Sequence, residues 1–522
     1  MHLRLTPLFL AAVCLMASPV SGIELPGMFS GHAVLQRGLS VPVWGWGTPA
    51  EEVEVRFAGQ IKRTTVDEEG RWRLSLSPLD ATAEGQVLVV EGSESGQVIV
   101  EDILVGEVWL ASGQSNMQWA LSATERALQD IPAADHPGIR MFLADLTTSA
   151  IPRRRVGGEW NVATPLTAGK FSAVGYYFAL KLHRELGVPV GIIRAAWGGK
   201  PVESFTSRET LATEPEGRAL LQNLDAEMRR FDLGAAEASY KKQMAAWEKI
   251  RSSNRAEKDP KKRRKLPRKP QRPRPPALNP SRAASIYNGM IHPWASYAMK
   301  GVIWYQGESN ASRAKAYETL FPLLIMDWRK RWDAEIPFYF AQLANFKSPT
   351  TRPGQESSWA ELQNAQRLTL RLPKTGMAVI NDVGAANDIH PRNKKTVGER
   401  LSRWALNRDY DQKDLVVSGP LYREFKVEEG QIRITFDNAG GLTTSDGKNP
   451  ARFEIAGEDR IWRWAEVALD GESAIVSSEE VPNPVAVRYA WASNPKGANL
   501  VNGAGLPASL FRTDSWKLST QR

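Results

Sequence analysis

The chain contains one cysteine, Cys14, and it lies inside an amino-terminal apolar stretch. Val13 precedes it, where a lipidated cysteine would need a small residue. Residues 1–22 read as a secretory signal peptide: His2 and Arg4, an apolar run from Leu8 to Met16, then small residues ending Val20-Ser21-Gly22. Once that leader is cleaved no thiol remains, which excludes disulfides, cysteine-ligated zinc and cysteine nucleophiles. The run is too short to cross a bilayer, and no other apolar run is long enough, so no transmembrane segment is expected. The mature chain is expected to be secreted or periplasmic. Histidine is scarce as well: six occur, and His2 leaves with the leader. No internal repeat of fixed period is present.

The 522 residues exceed what one hydrophobic core usually organises. With 42% apolar and 24% charged residues, the bulk reads as soluble and globular. The net charge of +9 sits in one place: residues 258–274 hold ten Lys or Arg against one Asp. The rest of the chain is balanced, so nucleic acid is not an expected partner. A basic run interleaved with prolines cannot bury enough apolar surface to fold, so an exposed linker or loop is expected, open to acidic polymers. The 18 Trp could line a sugar-binding cleft, although Trp is also ordinary core filler.

From Ile23 to about Leu104, short alternating stretches such as VPVWGWG and VEVRFAG, with Gly and Pro punctuation, read as a small β-domain. Strand-like runs then alternate with helical stretches at Ser172 to Leu186 and Ala314 to Arg331. That alternation predicts a mostly parallel sheet covered by helices, in an α/β domain over 105–207 and 284–407. Residues 208–283 interrupt it with helical segments and the basic tract, and read as an insertion that shields a cleft or packs on the first domain. Residues 408–522 turn strand-like and Gly-rich again, a second β-domain.

Four segments carry residues suited to chemistry. In EVWLASGQSNMQWAL a strand ends in a tight turn and Ser115 opens a helix, placing a hydroxyl beside free backbone N–H groups. An N-cap is the commonest role for such a serine. Met117 stands where a G-x-S-x-G elbow has its second glycine, which argues against an α/β-hydrolase. In AAWGGKPVESF, Gly198-Gly199 either aims an N–H into a cleft or makes a tight connection. GVIWYQGESNA puts Gln306 and Glu308 at a strand end, where α/β sheets gather their sites, or in a loop that bonds to itself. In NDVGAANDIHPRNKK, Asp388 and His390 share a loop before a helix, and His390 has the best company for a general base. Asp388 is equally suited to capping that helix.

The joint order of the four resembles the SGNH-hydrolase superfamily. GQSNM, WGGKPVESF, WYQGESNA and DIHPRNKKTVGERL look, more closely, like the sialate O-acetylesterase-like family of secreted carbohydrate esterases. The match runs intermittently from about Gly106 to Leu406, outside the insertion. The resemblance implies a flavodoxin-like three-layer α/β/α catalytic domain with flanking β-domains, removing O-acetyl groups from sugars without metal or organic cofactor. It implies Ser115 as nucleophile, His390 as base, and an oxyanion hole of the Ser115 and Gly199 N–H groups with the Gln306 side chain. The superfamily places its triad acid three residues before the histidine, but Asn387 stands there. Asp388 is the nearest substitute, with Asp382 and Glu308 as alternatives. Two other classes remain open on sequence: a noncatalytic carbohydrate-binding or surface protein, and a glycosidase using paired carboxylates such as Glu308 and Asp388.

Overall fold

The computed structural model describes residues 22–259 and 262–521. The signal peptide and Cys14 lie outside the described residues, apart from Gly22. Seven strands position the site: β1 (Gly96–Gly113), β2 (His136–Ala144), β3 (Gly158–Ala163), β4 (Val190–Ala196), β5 (Gly301–Tyr305), β6 (Phe338–Ala341) and β7 (Thr375–Ala378). They lie in the order β7-β6-β5-β1-β4-β2-β3, with every pairing parallel except β2 with β3. The chain fills one side of β1 with β2, β3 and β4, then crosses to the other side with β5. The carboxyl end of β1 is therefore a topological switch point, where open α/β sheets form their ligand crevice.

The helices are α1 (Ser115–Gln118), α2 (Ala173–Leu186), α3 (Pro215–Arg230), α4 (Leu233–Ala256), α5 (Ala314–Trp332), α6 (Ser358–Leu368) and α7 (Lys394–Asp409). β5 is buried along its whole length, as a strand covered on both faces must be. Successive strand residues point to opposite faces, and β6 shows the consequence. Tyr339 faces Trp109 and Trp404 of α7, while Phe338 and Phe340 face Phe321 of α5. Trp109 in turn meets Phe178 of α2, and Trp304 meets Phe321 and Trp328 of α5. Most of the large aromatics are thus core residues rather than a sugar platform.

The expected boundary near Leu104 falls inside β1, which does not break there. Its first half pairs with Thr82–Gly92 of the amino-terminal β-region, and Glu107–Gly113 pairs with β4. The two regions also share one apolar core, running from Val34 and Val55 through Trp109. The carboxyl-terminal β-region has its own core, built on Ile432, Phe453 and Phe511. It docks on α6, where the buried Glu361 carboxylate accepts hydrogen bonds from the Ser519 and Thr520 backbone N–H groups at 2.8 and 3.1 Å.

The insertion contains helices α3 and α4, and its basic tract is an exposed loop fastened to α4. After α4 the chain turns back and runs along that helix without forming helix or strand over residues 263–275. None of the described helices is long and apolar enough to cross a membrane.

Candidate active site

The turn after β1 is held from both sides. Gln114 N–H donates to the Tyr305 carbonyl at the end of β5, and Trp197 N–H beyond β4 donates to the Gly113 carbonyl, each at 3.0 Å. Gly113 has φ +132°, and a Cβ there would stand 2.2 Å from the Tyr305 carbonyl oxygen, so only glycine fits. Behind α1, the Ser172 hydroxyl caps α2 and donates to the Met117 carbonyl at 2.6 Å.

Ser115 is the first residue of α1, with Gln114 at the cap position and no side-chain cap bond. The serine hydroxyl is not used as an N-cap. It lies 2.8 Å from His390 Nε2, and in the neutral imidazole with its proton on Nδ1 the hydroxyl donates to that nitrogen. Trp119 stacks on the imidazole, with ring centroids 4.9 Å apart and planes at 19°. Burial and the positive charge of Lys394 hold the imidazole below its ordinary pKa, with Asp388 opposing them.

Asp388 does not cap α7; Asn393 does, accepting the Thr396 N–H at 3.1 Å. One Asp388 oxygen accepts the His390 backbone N–H at 2.9 Å and stands 3.7 Å from Nδ1. That is an ionic contact, longer than a hydrogen bond. The alternative acids are engaged elsewhere. Asp382 forms a two-pronged pair with Arg400 at 2.5 and 2.6 Å. Glu308 Oε1 accepts from Asn116 Nδ2 at 2.6 Å, while Oε2 is closed off from solvent, and burial raises the pKa of this carboxyl.

The Gly198 N–H is taken by Gln118 Oε1 at 2.8 Å, and Gly199 follows at φ +69°. Neither the Ser115 nor the Gly199 N–H has a partner among the described residues, so both are open donors. Gln306 does not join them. It is fully buried, its amide donates to Asn310 Oδ1 at 2.7 Å and to the Lys200 carbonyl at 3.3 Å, and its oxygen accepts from Tyr317 at 2.9 Å. Both amide hydrogens are occupied, which makes Gln306 a strut under the site rather than an oxyanion donor.

Asn116, Lys394, Glu203 and Asn310 also build the site, although sequence reasoning gave them no role. Asn116 Nδ2 reaches Glu308 and, at 3.1 Å, the Ile389 carbonyl beside His390, while its Oδ1 accepts from Lys394 Nζ. One side chain thereby ties together the nucleophile turn, the histidine loop, the β5 loop and α7. Lys394 is fully buried, and burial pushes its ammonium down to about 7. The faces of Trp119 and Tyr305 lie 5.5 and 5.6 Å from it. Asn310 links Gln306 to the Val202 N–H and to Glu203, which pairs with Arg313 at 2.6 Å. All four residues sit in or beside the quoted motifs, and that proximity was the only signal.

A cavity of about 830 Å³ opens beside Gly199, between the β4 and β5 loops and the insertion. Asn223, Glu227 and Arg230 of α3 line one wall, and Ser281 and Arg282 line it where the insertion ends. α3 of the insertion thus forms part of this cavity's wall. No group of three or more His, Cys, Asp or Glu able to hold a metal ion occurs among the described residues.

Residues 278–407 match the family model described as a carbohydrate esterase, sialic acid-specific acetylesterase. The chain is 28% identical over 518 residues to the sialate O-acetylesterase of Mus musculus, covering 91% of this chain and 90% of that protein. The human sialate O-acetylesterase is 26% identical over 524 residues, with 91% and 88% covered. The crystal structure of a carbohydrate acetylesterase from Xanthomonas citri is 36% identical, superposes with a TM-score of 0.78, and covers 95% of this chain and 100% of its own. These likenesses, with a hydroxyl and an imidazole in contact at the switch point, define an ester hydrolase. The chain belongs to the sialate O-acetylesterase-like family of carbohydrate esterases.

Proposed function

We propose that this enzyme removes O-acetyl groups from glycans through an acyl-Ser115 intermediate. The observation that carries the reading is the 2.8 Å contact between Ser115 Oγ and His390 Nε2. As the hydroxyl attacks the acetyl carbonyl, His390 takes its proton. The carbonyl oxygen becomes negative and is met by the Ser115 and Gly199 N–H groups. Collapse breaks the bond to the sugar, whose oxygen leaves with the proton from His390. Water then attacks the acyl group with His390 as base again, releasing acetate and restoring Ser115. Asp388 steadies the imidazolium from 3.7 Å.

The sugar occupies the cavity beside Gly199, with polar groups of α3 facing its hydroxyls. We read the catalytic unit, residues 105–207 and 284–407, as an SGNH-hydrolase domain of flavodoxin-like, three-layer α/β/α build. Residues 23–104, 208–283 and 408–522 are its amino-terminal β-region, insertion and carboxyl-terminal β-region. The leader at 1–22 sends the enzyme out of the cytoplasm. Sialic acids and acetylated plant-type glycans are the substrate classes to compare. Release of acetate from 4-nitrophenyl acetate and from a panel of acetylated glycans, by wild type and Ser115→Ala, tests the reading. Loss of release in the variant supports it, and wild-type inactivity on every ester defeats it.

A further inference from the structure

Prolines recur at 267, 270, 273 and 276, one every three residues. Three residues make one turn of polyproline II, whose φ proline fixes in advance. Pro270, Pro273 and Pro276 are half-buried, while every Lys and Arg from Lys262 to Arg274 is exposed. The segment is a strap with Pro270, Pro273 and Pro276 turned inward and its cations outward, while Pro267 stays exposed.

α4 fastens the strap at three places. Asn254 holds both backbone groups of Arg264, at 2.8 and 2.7 Å; Trp247 Nε1 donates to the Pro267 carbonyl at 2.9 Å; and Glu237 meets Arg272 at 3.6 Å. The spacing fits an extended strap running antiparallel to the helix. From Trp247 back to Glu237 a helix covers about 15 Å at its rise per residue, and from Pro267 to Arg272 polyproline II covers about the same. Trp247 is the one buried residue of α4 and lies beneath Arg251 and Lys269, 5.4 and 5.7 Å from its ring. Lys241, Lys242, Lys249, Arg251 and Arg255 add exposed cations on the helix itself.

The arm is rooted at the cavity beside Gly199. It leaves from Arg230 and returns at Ser281, and both residues line that cavity. We propose that α4 and the strap form a preorganised cationic arm that binds a carboxylate-bearing polysaccharide and holds it at the mouth of the site. The partner's class rests on the esterase reading above, which makes a glycan the polymer that must reach this cavity. The surface agrees with that choice. Single-stranded nucleic acid is held on exposed aromatic faces, and the arm's Trp247 is covered and its Tyr240 half-buried. A membrane surface calls for a contiguous apolar face, and Leu233 and Leu266 stand apart as the arm's exposed leucines.

The test uses the full-length protein and polygalacturonate, with affinity measured at about 50 and 200 mM salt, where counterion release weakens multi-cation binding by about tenfold or more. The variant Arg268→Gln, Lys269→Gln, Arg272→Gln, Arg274→Gln is expected to bind at least about tenfold more weakly at the lower salt. Trp247→Ala with Asn254→Ala keeps every cation but unfastens the strap, and is expected to lose several-fold in affinity because the arm must then be ordered on binding. Circular dichroism checks that each variant is folded. Absence of binding by the wild type, or a neutralised variant that binds as well, overturns the proposal. Tighter binding to duplex DNA or to vesicles containing phosphatidylglycerol overturns the choice of partner. Turnover of 4-nitrophenyl acetate by the same wild-type sample separates the two readings. Binding without turnover defeats the esterase reading, and turnover without binding defeats this one.

Discussion

Asn116→Ala removes the side chain on which four segments of the site converge. Asn116 bonds to Glu308 and the Ile389 carbonyl, both part-buried, and to the buried Lys394. A buried polar group left without its partner costs about 1–3 kcal/mol, so together the three losses come to about 3–9 kcal/mol of stability. Activity suffers by a separate route. The Ile389 carbonyl is one residue from His390, and releasing it frees the loop that sets the distance to Ser115. A displacement of about 1 Å at a reacting group lowers turnover by about 10²-fold. Thermal unfolding and hydrolysis of 4-nitrophenyl acetate read the two effects in one preparation, with a midpoint lower by several degrees and kcat down by about 10². A folded variant with stability within about 1 kcal/mol of wild type and unchanged kcat would refute the idea that Asn116 holds the site together.

Lys394→Met removes a buried positive charge that disfavours the imidazolium, so the pKa of His390 rises and the acid limb of kcat/KM moves to higher pH; an unmoved limb would contradict this coupling. Asp388→Asn removes a charge that favours the imidazolium, so the same limb moves to lower pH. Because the carboxylate stands 3.7 Å from Nδ1, kcat is expected to fall by about 10–10², less than the roughly 10⁴ seen when a directly bonded triad acid is neutralised; a loss near 10⁴ would mean the carboxylate closes onto the ring during turnover. Gly199→Ala meets no atom within 4 Å of the new Cβ, but it strains a backbone at φ +69°. The displaced N–H is expected to lower kcat by about 10²–10³ with a stability change of about 1–2 kcal/mol, and unchanged kcat would remove Gly199 from the oxyanion hole.

Local pattern singled out candidate residues where local geometry determines their place. Ser115, Gly199 and His390 each follow a strand or precede a helix within one short segment, after β1, β4 and β7 respectively. Gln306 has the right type and place, yet its amide direction is set by Asn310 and the Lys200 carbonyl, the latter 106 residues away. Asp382 was a candidate acid only while the position of Arg400 was unknown. The boundary at Leu104 was illegible because the apolar run of β1 keeps its character as the strand passes from one β-region into the central sheet. The basic tract is exposed, as its composition implied, but its attachment to α4 was not legible. What fastens it, Asn254 and Trp247, precedes it by 10 and 20 residues, on a helix that otherwise faces water.

Acetate release by wild type and Ser115→Ala, on 4-nitrophenyl acetate and on the acetylated glycan the wild type turns over fastest, tests the central claim most directly. Nucleophilic attack by Ser115 predicts a fall in kcat by a factor on the order of 10⁴ or more on both esters, in a protein that remains folded. Turnover by Ser115→Ala within a few-fold of wild type would contradict it.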